Sequence, residues 1–173
     1  MSDDPRLDGH GDAPPTIEAL DDALSAPDDA LVEDLSAVEG DIVIVGAGGK
    51  MGPTLARMAK RGAMRAGSGR RVIAVSRFAG ADNSQRQLLH DAGVETLSLD
   101  LLDPRSIERL PEAANVVYMV GRKFGTTGSE PLTWAVNTYL PGMVAWRYAG
   151  ARIVVFSTGN VYPLEARAAG STG

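Results

Sequence analysis

The chain has 173 residues, 44% of them hydrophobic and 23% charged, with 20 glycines and 10 prolines. That is one domain of ordinary size with a real core, so global disorder is excluded. No cysteine and only His10 and His90 exclude a disulfide framework and a thiolate or histidine-rich metal site, and no run is apolar enough to span a bilayer.

The first thirty residues also lack the basic-then-apolar layout of a signal peptide, so a cytoplasmic protein is expected. The net charge of −5 hides two unlike parts: residues 1–41 carry −12 and residues 42–173 carry +7. The body has no basic helix and no aromatic–basic alternation, so neither nucleic acid nor membrane is expected as a partner.

Residues 1–40 read as an acidic leader. Asp, Gly and Pro dominate residues 1–14. Ile17, Leu20 and Leu24 then keep helical spacing up to Pro27, and Leu31, Val32, Leu35 and Val38 continue it in a second short helix. Ser25 and Asp28 stand at capping-box spacing, and Gly40 ends the segment. The leader either docks its apolar face on the body or serves as a solubilising arm.

From Asp41 the pattern becomes strand-helix alternation, in a domain expected over residues 41–173 whose last ten residues read as a loop. The run Ile42-Val43-Ile44-Val45 suits a strand buried on both faces. A helix is predicted over 51–62, a strand over 71–77, a helix over 83–91 and a strand over 94–100. Asp103 caps a helix over 104–110. A strand over 115–121, a long helix over 130–149 containing Pro141 and Gly142, and a strand over 152–158 complete the series. Right-handed crossovers turn this into an α/β doubly wound parallel sheet, order 3-2-1-4-5.

Gly46-Ala47-Gly48-Gly49-Lys50-Met51-Gly52 joins the first strand to the first helix. Glycines allow the tight turn and a close approach of pyrophosphate, while the amides and dipole at the helix start bind the anion. No Gly-Lys-Ser/Thr follows, so it is not a Walker loop. The second strand ends in Ser76-Arg77 with no acid before Asp82. Arg77 is a candidate ligand for a 2′-phosphate, favouring NADP over NAD. Asp100 ends the third strand, where an adenine amino group is expected. Val120-Gly121 end the fourth as a small-residue edge, and Arg122 and Lys123 follow. Ser157 and Thr158 end the fifth strand, where doubly wound folds keep their active sites.

These pieces, in this order over about residues 41–163, resemble the extended short-chain dehydrogenase/reductase family, the NAD-dependent epimerase/dehydratases. The resemblance implies a Rossmann fold. It makes Gly46, Gly49 and Gly52 the dinucleotide turn, with the Lys50 and Met51 amides at the pyrophosphate. It makes Asp100 and Leu101 the adenine-side pair and Met119-Val120-Gly121 the segment beside the cofactor. Asn137 matches the Asn of the long helix, and Ser157-Thr158-x-x-Val161-Tyr162 looks like the hydroxyl motif, with Thr158 as the catalytic hydroxyl and Ser157 beside it. The implied activity is an NAD(P)-dependent epimerase, dehydratase or reductase, acting on a sugar nucleotide or related carbonyl or alcohol, and a homodimer when complete.

The family's Tyr-x-x-x-Lys pair is missing: no Tyr follows Tyr162 and no Lys follows Lys123. The chain is therefore expected to be a fragment of a longer enzyme. The alternative is a non-catalytic dinucleotide sensor or scaffold. A flavodoxin-like or phosphate-binding α/β domain explains the glycine turn but not the later motifs.

Overall fold

A computed structural model describes residues 14–78, 84–122 and 127–157. Five strands, β1 (Ile42–Val45), β2 (Val72–Ser76), β3 (Glu95–Ser98), β4 (Asn115–Tyr118) and β5 (Arg152–Val155), form one parallel sheet in the order β3-β2-β1-β4-β5. The helices are α1 (Ile17–Leu24), α2 (Asp29–Ala37), α3 (Gly52–Arg65), α4 (Ser84–Asp91), α5 (Pro104–Glu108), α6 (Glu130–Trp134) and α7 (Leu140–Arg147). This is the α/β doubly wound arrangement read from the sequence. Among the described residues no helix is long and apolar enough to cross a membrane, and no group of His, Asp or Glu is placed to hold a metal ion.

Strand alternation divides the core between the two faces of the sheet. Val43, Val45, Ile73, Val75, Val116 and Tyr118 pack with Ile107, Leu140, Val144 and Tyr148 under α5 and α7. Ile42, Ile44, Val72 and Ala74 pack with Ala56 and Leu89 under α3 and α4. All four residues of β1 are buried, as a central strand covered on both faces requires. At the opposite extreme, β5 forms an edge of the sheet, and Val154 and Val155 are exposed.

Helix α3 runs three residues past its predicted end. It stops in a Schellman motif: Gly67, at φ +65°, donates to Met64 O, and Ser68 donates to Ala63 O. Gly62 lies inside the helix because it is a notch. A Cβ there would meet Leu35 Cδ1 at 2.7 Å.

The predicted helix over 130–149 is three segments ending at Arg147. Residues Ala135–Tyr139 form a π turn between α6 and α7, closed by Leu140 N–H to Ala135 O. Pro141 explains it. Proline has no N–H for the carbonyl four residues back, and its ring needs the room that a wider turn provides.

Residues 14–40 of the leader dock on α3, with α1 reversed from the apolar-face expectation. Ile17, Leu20 and Leu24 face solvent. Its polar side meets arginines one turn apart on α3. The Asp22 carboxylate pairs with Arg57, which is buried, and with Arg61 at 2.7 Å. Arg65 bonds Pro27 O and Asp29, both at 2.6 Å. Further on, α2 does pack an apolar side chain, placing Leu35 in the Gly62 notch. Ser25 is not the cap of α2. It ends α1, buried, with Oγ donating to Asp21 O at 2.7 Å, and Asp28 caps α2 alone by accepting from Leu31 N–H.

Hydrogen bonds from Arg61 and then Arg57 hold the Asp22 carboxyl below the usual carboxylate range. A carboxyl whose pKa is lower when folded stabilises above its unfolded value, and that contribution is lost as pH falls through the folded pKa. Urea midpoints of Asp22→Asn and the parent are therefore expected to differ most near neutral pH and to converge in acid. A constant gap across that range contradicts the ion-pair account.

Candidate dinucleotide site

Parallel strands leave a crevice where neighbouring crossovers diverge, outside the carboxyl ends of the strands. Here β1 and β4 are those neighbours, and a cleft of about 360 Å³ opens at their ends. Gly46, Gly48 and Gly49 line one side, Ser76 and Arg77 the end of β2, and Leu99, Asp100, Leu101 and Leu102 the segment after β3. Met119, Val120, Gly121 and Arg122 follow β4, and Leu132, Val136 and Leu140 close the far wall.

The glycine turn has two kinds of glycine. Gly46 has φ +94°, and a Cβ there would lie 2.8 Å from Val120 N. Gly48 would place a Cβ 2.3 Å from Ser76 Oγ, and Gly52 would place one 2.2 Å from Ala47 O. The fold itself thus needs Gly46 and Gly52, whose neighbours are backbone, whereas the atom nearest Gly48 is a serine hydroxyl that can turn aside. Gly49 differs: its Cβ would meet only Gly46 O, at 3.6 Å, an ordinary contact. It is exposed on the cleft wall, so internal packing does not account for it.

The turn also leaves donors unused. Gly46 and Ala47 amides bond Val75 O, the Gly49 amide bonds Gly46 O, and the Gly52 amide bonds Gly49 O. The amides of Gly48, Lys50 and Met51 make no hydrogen bond among the described residues. They stand at the start of the 14-residue α3, where the helix dipole adds positive potential. Lys50 and Met51 are exposed beside the cleft and do not line it, and Gly52 is buried behind the turn.

At the rim, Arg77 is exposed, and its carbonyl accepts from Ser98 Oγ at 2.9 Å. Asp100 Oδ1 accepts from Leu102 N–H at 3.1 Å, and Asp103 caps α5 through Arg105 N–H. Asn137, in the π turn, makes a reciprocal pair with the Arg122 backbone: Arg122 N–H donates to Oδ1 at 2.7 Å, and Nδ2 donates to Arg122 O at 2.9 Å. That pair ties the chain leaving β4 to the far wall. Burial pushes the Tyr118 hydroxyl up to about 12, and Tyr118 lies in the core under α7.

The structure therefore brings Gly46, Gly48, Gly49, Arg77, Asp100, Leu101, Val120 and Gly121 to one cleft. Ser157, just past β5, is exposed and not among its lining residues. Thr158, Lys123, Val161 and Tyr162 lie outside the described residues. Leu132, Val136 and Leu140 were not anticipated. Pro141 was the available signal, since the turn it imposes resets which residues of this helix face the sheet.

No protein-family model matches the chain, and no curated protein matches it. Among solved structures, an NADH-dependent reductase A1-R′ complexed with NAD is similar at 18% identity, with a TM-score of 0.47, over 65% of this chain and 52% of that one. The chain thus spans about half the length of that reductase. The fold rests on the chain's own strand order and the candidate site on its own geometry.

Proposed function

We propose that the cleft binds a nicotinamide dinucleotide, as the NAD(P)-binding part of an oxidoreductase of the epimerase/dehydratase type. The observation that carries this reading is the set of three unbonded amides at the glycine turn, beside a Gly49 that packing alone does not require. An anion bridging those amides satisfies them, and the missing Gly49 side chain lets a pyrophosphate reach the backbone.

The other roles follow from position. Asp100 and Leu101 flank the adenine. Val120 and Gly121 leave room for the nicotinamide half. Arg77 takes a ribose 2′-phosphate, which favours NADP over NAD. When bound, the nicotinamide supplies hydride transfer. Ser157 and Thr158 then orient the substrate oxygen, the substrate being a sugar nucleotide or related carbonyl or alcohol.

Exchanging Arg77 for Glu tests the cofactor assignment. NADPH affinity is expected to fall by roughly ten- to a hundredfold, the scale of one lost charge-assisted hydrogen bond, with NADH affinity far less affected. Titration calorimetry with both cofactors reads the difference. Equal losses for the two remove the case for a 2′-phosphate contact.

A second reading is a dinucleotide-binding module without turnover that presents a surface to another protein. The exposed face of α6 and α7 favours it, with Trp134, Tyr139 and Trp146 all largely solvent-facing. Under the oxidoreductase reading, the same face packs a second copy in a homodimer.

A further inference from the structure

The chain divides its charge, −12 over residues 1–41 and +7 over residues 42–173, and the two parts meet on α3. Arg57, Arg61 and Arg65 recur at every fourth position along that helix, and Arg70 follows it. All of them donate to the leader. Arg57 and Arg61 reach the Asp22 carboxylate, and Arg61 also bonds Ser25 Oγ at 2.7 Å. Arg65 bonds Pro27 O and Asp29, while Arg70 bonds Leu35 O at 2.6 Å and Val38 O.

The two leader helices are held differently. Helix α2 is fixed by packing and from its far end. Leu35 fills the Gly62 notch, and Glu39 O accepts from Asn115 Nδ2 and Arg152 Nη2, both at 2.9 Å. Helix α1 buries none of its eight residues. Its attachment is Asp22 and, just past its end, Ser25, both bonded to α3 arginines. The Asp22 side chain is 61% exposed. Ion pairs open to water are weak and are screened by salt. Moving α1 away therefore gives up little apolar burial and uncovers Arg57 and Arg61.

The leader is also an incomplete occupant. Asp22 meets both guanidiniums through one oxygen, Oδ1. Among the described residues, the buried Nε of Arg57 and Nη1 of Arg70 find no acceptor. Arginines four apart repeat about every 6 Å along a helix, close to the roughly 7 Å between alternate residues of an extended peptide. A segment richer in carboxylates fills donors that the leader leaves open.

We infer that the arginine face of α3 is a binding site for an acidic peptide, occupied in cis by the leader, and that α1 swings aside for a competing peptide while α2 stays docked. The site is separate from the dinucleotide cleft, whose lining includes none of these arginines.

Poly-L-glutamate is the probe, added to the full chain at neutral pH, with sodium chloride of equal ionic strength as the control. Amide hydrogen exchange followed by NMR reads α1 and α2 separately. A ligand that binds only the open form speeds α1 exchange by mass action. Poly-L-glutamate is expected to speed it at least about tenfold over the salt control, the scale of one charge-assisted bond, and to leave α2 unchanged. Asp22→Asn weakens the cis occupant and spares the arginines, so α1 is expected to exchange faster at the outset and to keep the full response. Arg61→Gln, a change at a partly exposed side chain, is expected to open α1 without the probe and to lose most of the response. Equal acceleration by poly-L-glutamate and salt overturns the site. An Arg61→Gln response equal to the parent's overturns it too, by placing the probe elsewhere. Exchange of α1 and α2 at one common rate overturns the separate release of α1.

Discussion

Gly52→Val is expected to distort the first βα turn and to cost a large part of the domain's stability. A Cβ at this position meets three backbone atoms of Ala47, at 2.2, 2.5 and 2.6 Å. Backbone cannot rotate away as a side chain can, so either α3 or β1 must shift. Both carry buried core, β1 across all four residues and α3 through Ala56. Overpacking a core typically costs about 1–3 kcal/mol, and this rigid contact is expected to reach or exceed about 3 kcal/mol. For a domain of this size that lowers Tm by roughly 10 °C. Denaturant and thermal unfolding followed by circular dichroism check it, and a parent-like midpoint contradicts the packing argument.

Gly49→Val, three residues earlier, is expected to do the opposite. Its side chain enters the cleft and meets no backbone closer than Gly46 O at 3.6 Å. The variant should melt close to the parent and lose dinucleotide binding by at least about a hundredfold, since a pyrophosphate approaching within hydrogen-bond reach of the turn leaves no space for a branched side chain. NADPH fluorescence titration alongside a thermal melt separates the effects. A fall in Tm matching that of Gly52→Val, or undiminished affinity, breaks the distinction between the two glycines.

That distinction was not legible in the sequence, where Gly46, Gly49 and Gly52 share one spacing. Spacing shows that a turn is glycine-rich. Which neighbour each missing side chain makes room for is a tertiary fact. The strand order was legible, because short apolar runs alternate with helical segments and crossover handedness leaves few arrangements. Residues at strand ends, Arg77, Asp100, Val120 and Gly121, were legible for the same reason: the order of strands carries their ends to one crevice.

The misreadings share a cause. Ile17, Leu20 and Leu24 keep helical period, yet that face of α1 is exposed. Periodicity says which residues of a helix are apolar and cannot say what lies opposite. Here the arginines of α3 lie opposite, and Asp22 answers them. The regular spacing of Arg57, Arg61 and Arg65 was the unread signal. The predicted helix over 51–62 stops at Gly62, yet Gly62 lies inside α3, where its partner is Leu35, 27 positions earlier in the chain. In the same way Pro141 was read as lying within a regular helix, and the wider turn it imposes moved Val136 and Leu140 onto the cleft wall.

The central claim is that the amides of Gly48, Lys50 and Met51 hold the pyrophosphate. The most direct test is a titration of the isotope-labelled chain with NADPH, following backbone amide resonances. The account predicts that these three amides move furthest downfield and become slow to exchange with solvent, while those of α1 and α2 stay in place. NADPH-dependent shifts confined to other parts of the chain, or no shifts at saturating cofactor, would contradict it.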